Sequence, residues 1–79
     1  MQKYELLRYL QEHGSITGLE ALTQLGIMSY TKKISQLRAA GIIIRNEWQT
    51  KRSRFGVKRF VRYVLIKAPK NAVKSIING

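Results

Sequence analysis

Residues 17–41 read TGLEALTQLGIMSYTKKISQLRAAG, and this stretch decides the fold. Thr17-Gly18-Leu19-Glu20 has the form of a capping box. The Thr17 hydroxyl can accept from a free N–H of the first helical turn while the Glu20 carboxylate reaches back to the cap. A short helix over about residues 18–25 follows, with Leu19, Leu22 and Leu25 expected inward at helical spacing. Gly26 ends it. Ser29 is a second N-cap candidate and opens a helix over about residues 30–40. Ile34 and Leu37 mark the inward side of that helix, Tyr30 flanks them, and Gly41 closes it.

Outward from this pair, residues 3–13 read as a helix with Leu6, Leu7 and Leu10 at helical spacing and Glu5, Arg8, Gln11 and Glu12 outside. Gly14 is its stop, and Ser15-Ile16 is too short for a full strand but long enough to pair briefly with a hairpin edge. On the other side, residues 42–48 read as a strand, because β-branched residues dominate its start. Residues 49–56 are polar and basic and end in the turn signal Gly56. Residues 57–66 read as the return strand, with Val61, Tyr63 and Leu65 on one face and Phe60, Arg62, Val64 and Ile66 on the other. Both faces are partly apolar, so the pattern leaves open which one is buried. Pro69 breaks the strand, and residues 70–77 allow a last short helix with Val73, Ile76 and Ile77 on one side. The expected fold class is α+β, mainly α: a three-helix core with a C-terminal β-hairpin over residues 1–67, then a tail over 68–79. No internal repeat, low-complexity tract or interdomain linker interrupts it.

The chain has 79 residues, which bounds it to one modest core, and 44% hydrophobic residues, which is too many for a disordered basic tail. Its net charge of +11 is uneven. Residues 1–31 carry Lys3 and Arg8 against Glu5, Glu12 and Glu20 and net −1; residues 32–79 carry thirteen basic residues against Glu47 and net +12. Six of the twelve residues 51–62 are basic, and they follow a helix that already holds Lys32, Lys33 and Arg38. Charge at this density repels itself and weakens the compact state unless a partner offsets it. A basic helix followed by a basic hairpin fits a polyanion, with nucleic acid the first candidate.

Other classes have little material. There is no cysteine, so disulfides and zinc fingers are excluded. A single histidine and four scattered carboxylates make no acid–base pair, triad or metal site, and Gly14 to Gly18 lacks the ending of a phosphate loop. His13, near a helix C-terminus, reads as a dipole contact. The expectation is a non-enzyme with no cofactor and no metal. No secretory signal opens the chain and no apolar run approaches the roughly 20 residues of a transmembrane helix, so the expected setting is cytoplasmic, with no membrane partner.

The order helix, short strand, helix, turn, helix, basic hairpin resembles the winged helix-turn-helix family, in particular the small domains of bacteriophage and prophage genomes. The resemblance rests on Gly14-Ser15-Ile16-Thr17, on Leu25-Gly26-Ile27 at the turn, and on residues 33–41. It continues in Trp48 to Gly56 and Arg62-Tyr63-Val64-Leu65 as the wing. Gly26 precedes Ile34 by eight residues, a longer turn than in repressor-type helix-turn-helix domains. The family implies that the third helix enters the major groove of double-stranded DNA and presents Ser29, Thr31, Lys32, Lys33, Ser35 and Gln36 outward. Gln36 can pair two ways with an adenine edge, and lysines suit guanine or phosphate. Lys51, Arg52, Arg54, Lys58 and Arg59 would form the wing, mostly on phosphate, with Arg52 or Arg54 able to enter a narrow minor groove. Phe55 is expected to pack on the hairpin beside Gly56; the other reading inserts it beside a sugar or base step. Trp48 and Tyr63 are expected in the core or on a sheet face.

The resemblance thus implies a phage-type transcriptional regulator or an excisionase-like accessory factor. Two alternatives stand beside it: a module that docks on host protein machinery, and a structured-RNA binder, although the A-form major groove is too narrow for the third helix. The pattern is compatible with a monomer or a homodimer.

Overall fold

A computed structural model describes residues 2–78. The elements run α1 (Gln2–His13), β1 (Ser15–Thr17), α2 (Gly18–Leu25), α3 (Tyr30–Ala39), β2 (Ile43–Ser53), β3 (Gly56–Lys67) and α4 (Lys70–Asn78). The strands form one antiparallel sheet in the order β1-β3-β2. The leucine spacing of α1 puts Leu6, Leu7 and Leu10 fully inside, where they meet Ile34 and Leu37 of α3. Ile16, Ile27, Ile42, Ile44 and Tyr63 complete the centre, and Ala72 and Ile76 of α4 close it.

Local chemistry sets the element ends. The capping box at α2 is fully formed: Glu20 N–H donates to Thr17 Oγ1 at 3.1 Å, and Thr17 N–H donates to Glu20 Oε1 at 2.9 Å. At its other end Gly26 N–H reaches Leu22 O and Ile27 N–H reaches Ala21 O, each at 3.0 Å, which satisfies two carbonyls that the helix leaves free. The short Ser15–Thr17 segment does pair with the hairpin, Ile16 opposite Tyr63 and Thr17 opposite Arg62. The sheet turns its Val61, Tyr63 and Leu65 side to the helices.

Several expectations need correction. In α2, Leu19 is 70% exposed and Leu22 48% exposed; Ala21 is the buried residue, with Leu25 half-buried. The helix packs by its small side. A Cβ on Gly18 would stand 2.5 Å from the Tyr30 ring, so only glycine admits that close approach. Ser29 occupies the N-cap position of α3, but its side chain makes no capping hydrogen bond. Ile42 lies outside the strand and is buried, its N–H bonded to Leu37 O at 3.1 Å. In α4 the inward residues are Ala72 and Ile76, and Ile77 is exposed.

The hairpin departs most. Residues 49–53 continue β2, and the turn is only Arg54-Phe55, between the paired Ser53 and Gly56. No non-glycine residue has positive φ among the described residues, so the left-handed step falls on Gly56 at φ +120. The ribbon outruns the core, which gives the molecule its extents of 46 × 22 × 20 Å. Phe55 is 89% exposed, with the Arg54 guanidinium beside its ring, and Trp48 is 62% exposed on the sheet face. The expectation that Phe55 packs on the hairpin fails, because beyond Val61 the ribbon has no second layer, whereas Trp48 lies on a sheet face, opposite Val61, as expected.

Leu37→Ala should therefore cost about 2–5 kcal/mol of stability, a fall in Tm of more than about 8 °C for a domain of this size. Leu19→Ala should stay within about 0.5 kcal/mol. Thermal denaturation of the two variants checks the orientation of α2.

Candidate nucleic-acid interface

The buried Ile34 and Leu37 fix the rotation of α3. Ser29, Thr31, Lys32, Ser35 and Gln36 consequently stand exposed, and Lys33 is half-buried at the edge of the same surface. Ser29, unused as a cap, keeps its hydroxyl free of an intrahelical bond.

Strand register distributes the hairpin charges over both sides. Lys51 and Lys58 are direct cross-strand partners, so two like charges share one face. Arg52 lies opposite Val57 and Arg59 opposite Thr50 on the other face. The Arg59 guanidinium stands 5.3 Å from the Trp48 ring centroid and that of Arg54 stands 5.6 Å from the Phe55 ring centroid. Lys51, Arg52, Arg54, Lys58 and Arg59 are all exposed, and none joins an ion pair among the described residues.

Two other cations of the basic region are committed internally. Arg62 Nη1 donates to Glu20 Oε1 at 3.0 Å and to Ser15 Oγ at 3.1 Å, while its Nε reaches Gln49 Oε1 at 3.4 Å. Arg38 Nη2 donates to Ile44 O at 2.9 Å and to Asn46 Oδ1, and its guanidinium lies 5.9 Å from the Tyr63 ring centroid. Arg45 pairs with Glu47 at 3.3 Å. Composition alone counts all of these as free positive charge; the partners of Arg62 and Arg38 lie across the sheet or on another element, which no local pattern shows, whereas Glu47 is two residues from Arg45 on the same strand.

Electrostatics at the Arg62 node is directional. Partial burial works to raise the Glu20 pKa, but the Thr17 N–H bond and the Arg62 hydrogen bond and charge outweigh it, and the pKa is lowered. Burial, and then Tyr30 beside it, push the Tyr63 phenol up against the pull of Arg38, so the ring stays neutral. His13 sits in the last turn of α1 with its ring 4.3 Å from that of Tyr9.

Between the hairpin and the starts of α2 and α3 lies an open groove of about 660 Å³, with Leu19, Tyr30 and Trp48 on its walls and Lys51, Lys58 and Arg59 at its rim. No cluster of three or more metal-ligating side chains occurs among the described residues. No described helix is long and apolar enough to cross a membrane. The surface is thus a polar, basic helix face beside a basic ribbon, with chemistry suited to binding an anion of extended shape.

Comparison with known proteins agrees with this geometry. A family model described as a winged helix-turn-helix domain matches residues 1–68. No curated protein and no solved structure matches the chain.

The lowered Glu20 pKa makes stability depend on pH. The ionised carboxylate is favoured in the folded state, so its contribution is complete above the ordinary value of 4.5 and is lost as pH falls through the folded value. Glu20→Gln should lower Tm at pH 7, and the gap to the parent chain should close as acidification below the ordinary value of 4.5 protonates the folded carboxylate. Paired melting curves across that range provide the check.

Proposed function

The chain belongs to the winged helix-turn-helix domain family, typically non-enzymatic DNA-binding domains, and from that premise we propose a mode of action. In this reading α3 lies in the major groove of double-stranded DNA and the hairpin lies along the flanking backbone and minor groove. Lys32, Gln36, Thr31 and Ser35 face base edges. Ser29 and Lys33 border them. Lys51, Arg52, Arg54, Lys58 and Arg59 neutralise phosphates, which orients the protein without reading sequence. The observation that carries this is the separation of engaged from unengaged cations: Arg62, Arg38 and Arg45 have internal partners, whereas the five hairpin cations have no ion-pair partner among the described residues.

The proposed role is that of a phage-type transcriptional regulator or an excisionase-like accessory factor, acting in the cytoplasm of a bacterial host. A small basic domain with a long wing supports either use, since both need duplex binding and neither needs a catalytic group. One observation favours a protein contact as a second reading. Leu19, Leu22 and Met28 are exposed together around a shallow apolar depression beside Tyr30. Such a patch is where an apolar partner would sit, and it would make the domain an adaptor.

Five phosphate contacts give an expected slope of about −4.5 for log affinity against log salt concentration. A slope near zero in a fluorescence-anisotropy titration would exclude the phosphate assignment. Lys32→Ala and Gln36→Ala should shift the base preference of duplexes selected from a random library. Arg54→Ala should weaken every sequence alike. Failure to retain any duplex at low salt would transfer the reading to the protein contact.

A further inference from the structure

The feature that phosphate binding leaves unused is Phe55. Among the described residues it is the most exposed of the large apolar side chains, and it stands at the end of the ribbon beside the Arg54 guanidinium, with Arg52 and Lys58 on the strands behind it. We propose that the Phe55 ring is a wedge that enters a base-pair step from the minor groove and bends the duplex. This rests on the DNA-binding reading above and adds an activity, deformation, together with a substrate class, duplexes holding an easily unstacked step.

Three observations support the wedge. The tip is slim. The last cross-strand pair is Ser53 with Gly56, so the pair that closes the turn carries only a hydroxymethyl group. A ribbon that narrows in this way can follow a groove about 6 Å wide, where a pair of larger residues would stop at its rim. The tip is also locally braced. Phe55 N–H donates to Ser53 Oγ at 3.2 Å, and Ser53 Oγ donates to Gly56 O at 3.4 Å. That holds the backbone from which the ring projects. Finally, the ribbon has reach. From Val61, the last residue packed against the core, to Gly56 is about 16 Å at about 3.3 Å per residue, so the tip stands clear of the helices.

The charge around Phe55 selects the partner. An exposed ring on a ribbon end that carries Arg52, Arg54 and Lys58 is drawn to a polyanion, and the large apolar surfaces that a duplex can offer a phenyl ring are the faces of its stacked base pairs. Apolar wedges of this kind part a step and kink DNA by about 20–90° toward the major groove. The deformation costs least at pyrimidine–purine steps such as TA and CA. Arg54, 5.6 Å from the ring, would settle on the adjoining phosphates or groove floor as the ring leaves it. Bending then brings the flanking duplex toward Lys51 and Lys58 and lets a short ribbon contact more backbone than a straight helix allows.

The test uses the full chain and a duplex of about thirty base pairs with a central TA step, labelled at both ends for energy transfer and carrying 2-aminopurine at the step. The expected result is a rise in transfer and in 2-aminopurine emission at saturation. Phe55→Ala should abolish both while weakening binding only about tenfold. Phe55→Leu should retain most of the bend. An unbent bound duplex, or a bend that survives Phe55→Ala, would overturn the wedge and leave DNA binding intact. No binding at all would overturn both. Phe55-dependent capture by anionic phospholipid vesicles, with no bend in DNA, would instead assign the tip to a lipid surface. Because Phe55 is 89% exposed and outside the core, its variants should keep the parent Tm, so that folding is not what the experiment reads.

Discussion

The placement of the hairpin against the helices depends on the contact between Arg62 and Glu20. Glu20 is already held by the α2 cap through Thr17, and Arg62 sits on β3 opposite Thr17 in the sheet. A single carboxylate oxygen therefore accepts from the start of α2 and from the middle of β3 at once. Partly exposed ion pairs contribute only about 0–1 kcal/mol, so the value of the contact is geometric. β1 is three residues long and cannot by itself fix how the ribbon leaves the body. Arg62 also reaches Ser15 on β1 and Gln49 on β2, so one side chain joins all three strands to α2. Arg38 does the same from the other side, bonding the Ile44 carbonyl of β2 from the end of α3.

Those two contacts also mark where sequence reading succeeds and where it stops. The helices were legible because their determinants are local: leucine spacing in α1, the Thr17–Glu20 box, and the glycines that stop α1 and α2. The rotation of α2 was not, because two stripes fit its eight residues equally well. Leu19 and Leu22 make the more apolar stripe, and Gly18, Ala21 and Leu25 make the smaller one. The choice falls to Tyr30, which leaves no room for a Cβ at position 18, and to Arg62, which is 42 residues away from Glu20 in the chain. Hydrophobicity in so short a helix yields to tertiary fit.

The same limit applies to the candidate site. Exposure of Thr31, Lys32, Ser35 and Gln36 followed from Ile34 and Leu37 alone, since a helix with a fixed buried side has a fixed outer side. The hairpin was harder. Past Val61 neither face meets a second layer, so alternation of apolar and polar residues carries no information about what is buried, and the strand extends through polar Gln49 to Ser53 without announcing itself. Phe55 looked like a packed residue because an aromatic beside a glycine commonly is. What lies across from it, a serine paired with a glycine, offers no surface to pack on. The charge count misled in the opposite sense, since Arg62 belongs to the scaffold.

The unbound ribbon is consequently a compromise. Lys51 directly opposite Lys58 is a destabilising pair on its own terms, and no acidic residue lies between Trp48 and Gly79 to relieve it. Charged edges protect a sheet from pairing with other sheets, which explains some cation content but not this cross-strand pairing or a fully exposed phenyl ring at the tip. In the proposed binding mode a polyanion resolves both at once. It neutralises the facing lysines, and anything that binds only the folded ribbon stabilises it by mass action. Repulsion in the free protein and attraction in the proposed complex are then the same charges seen in two states.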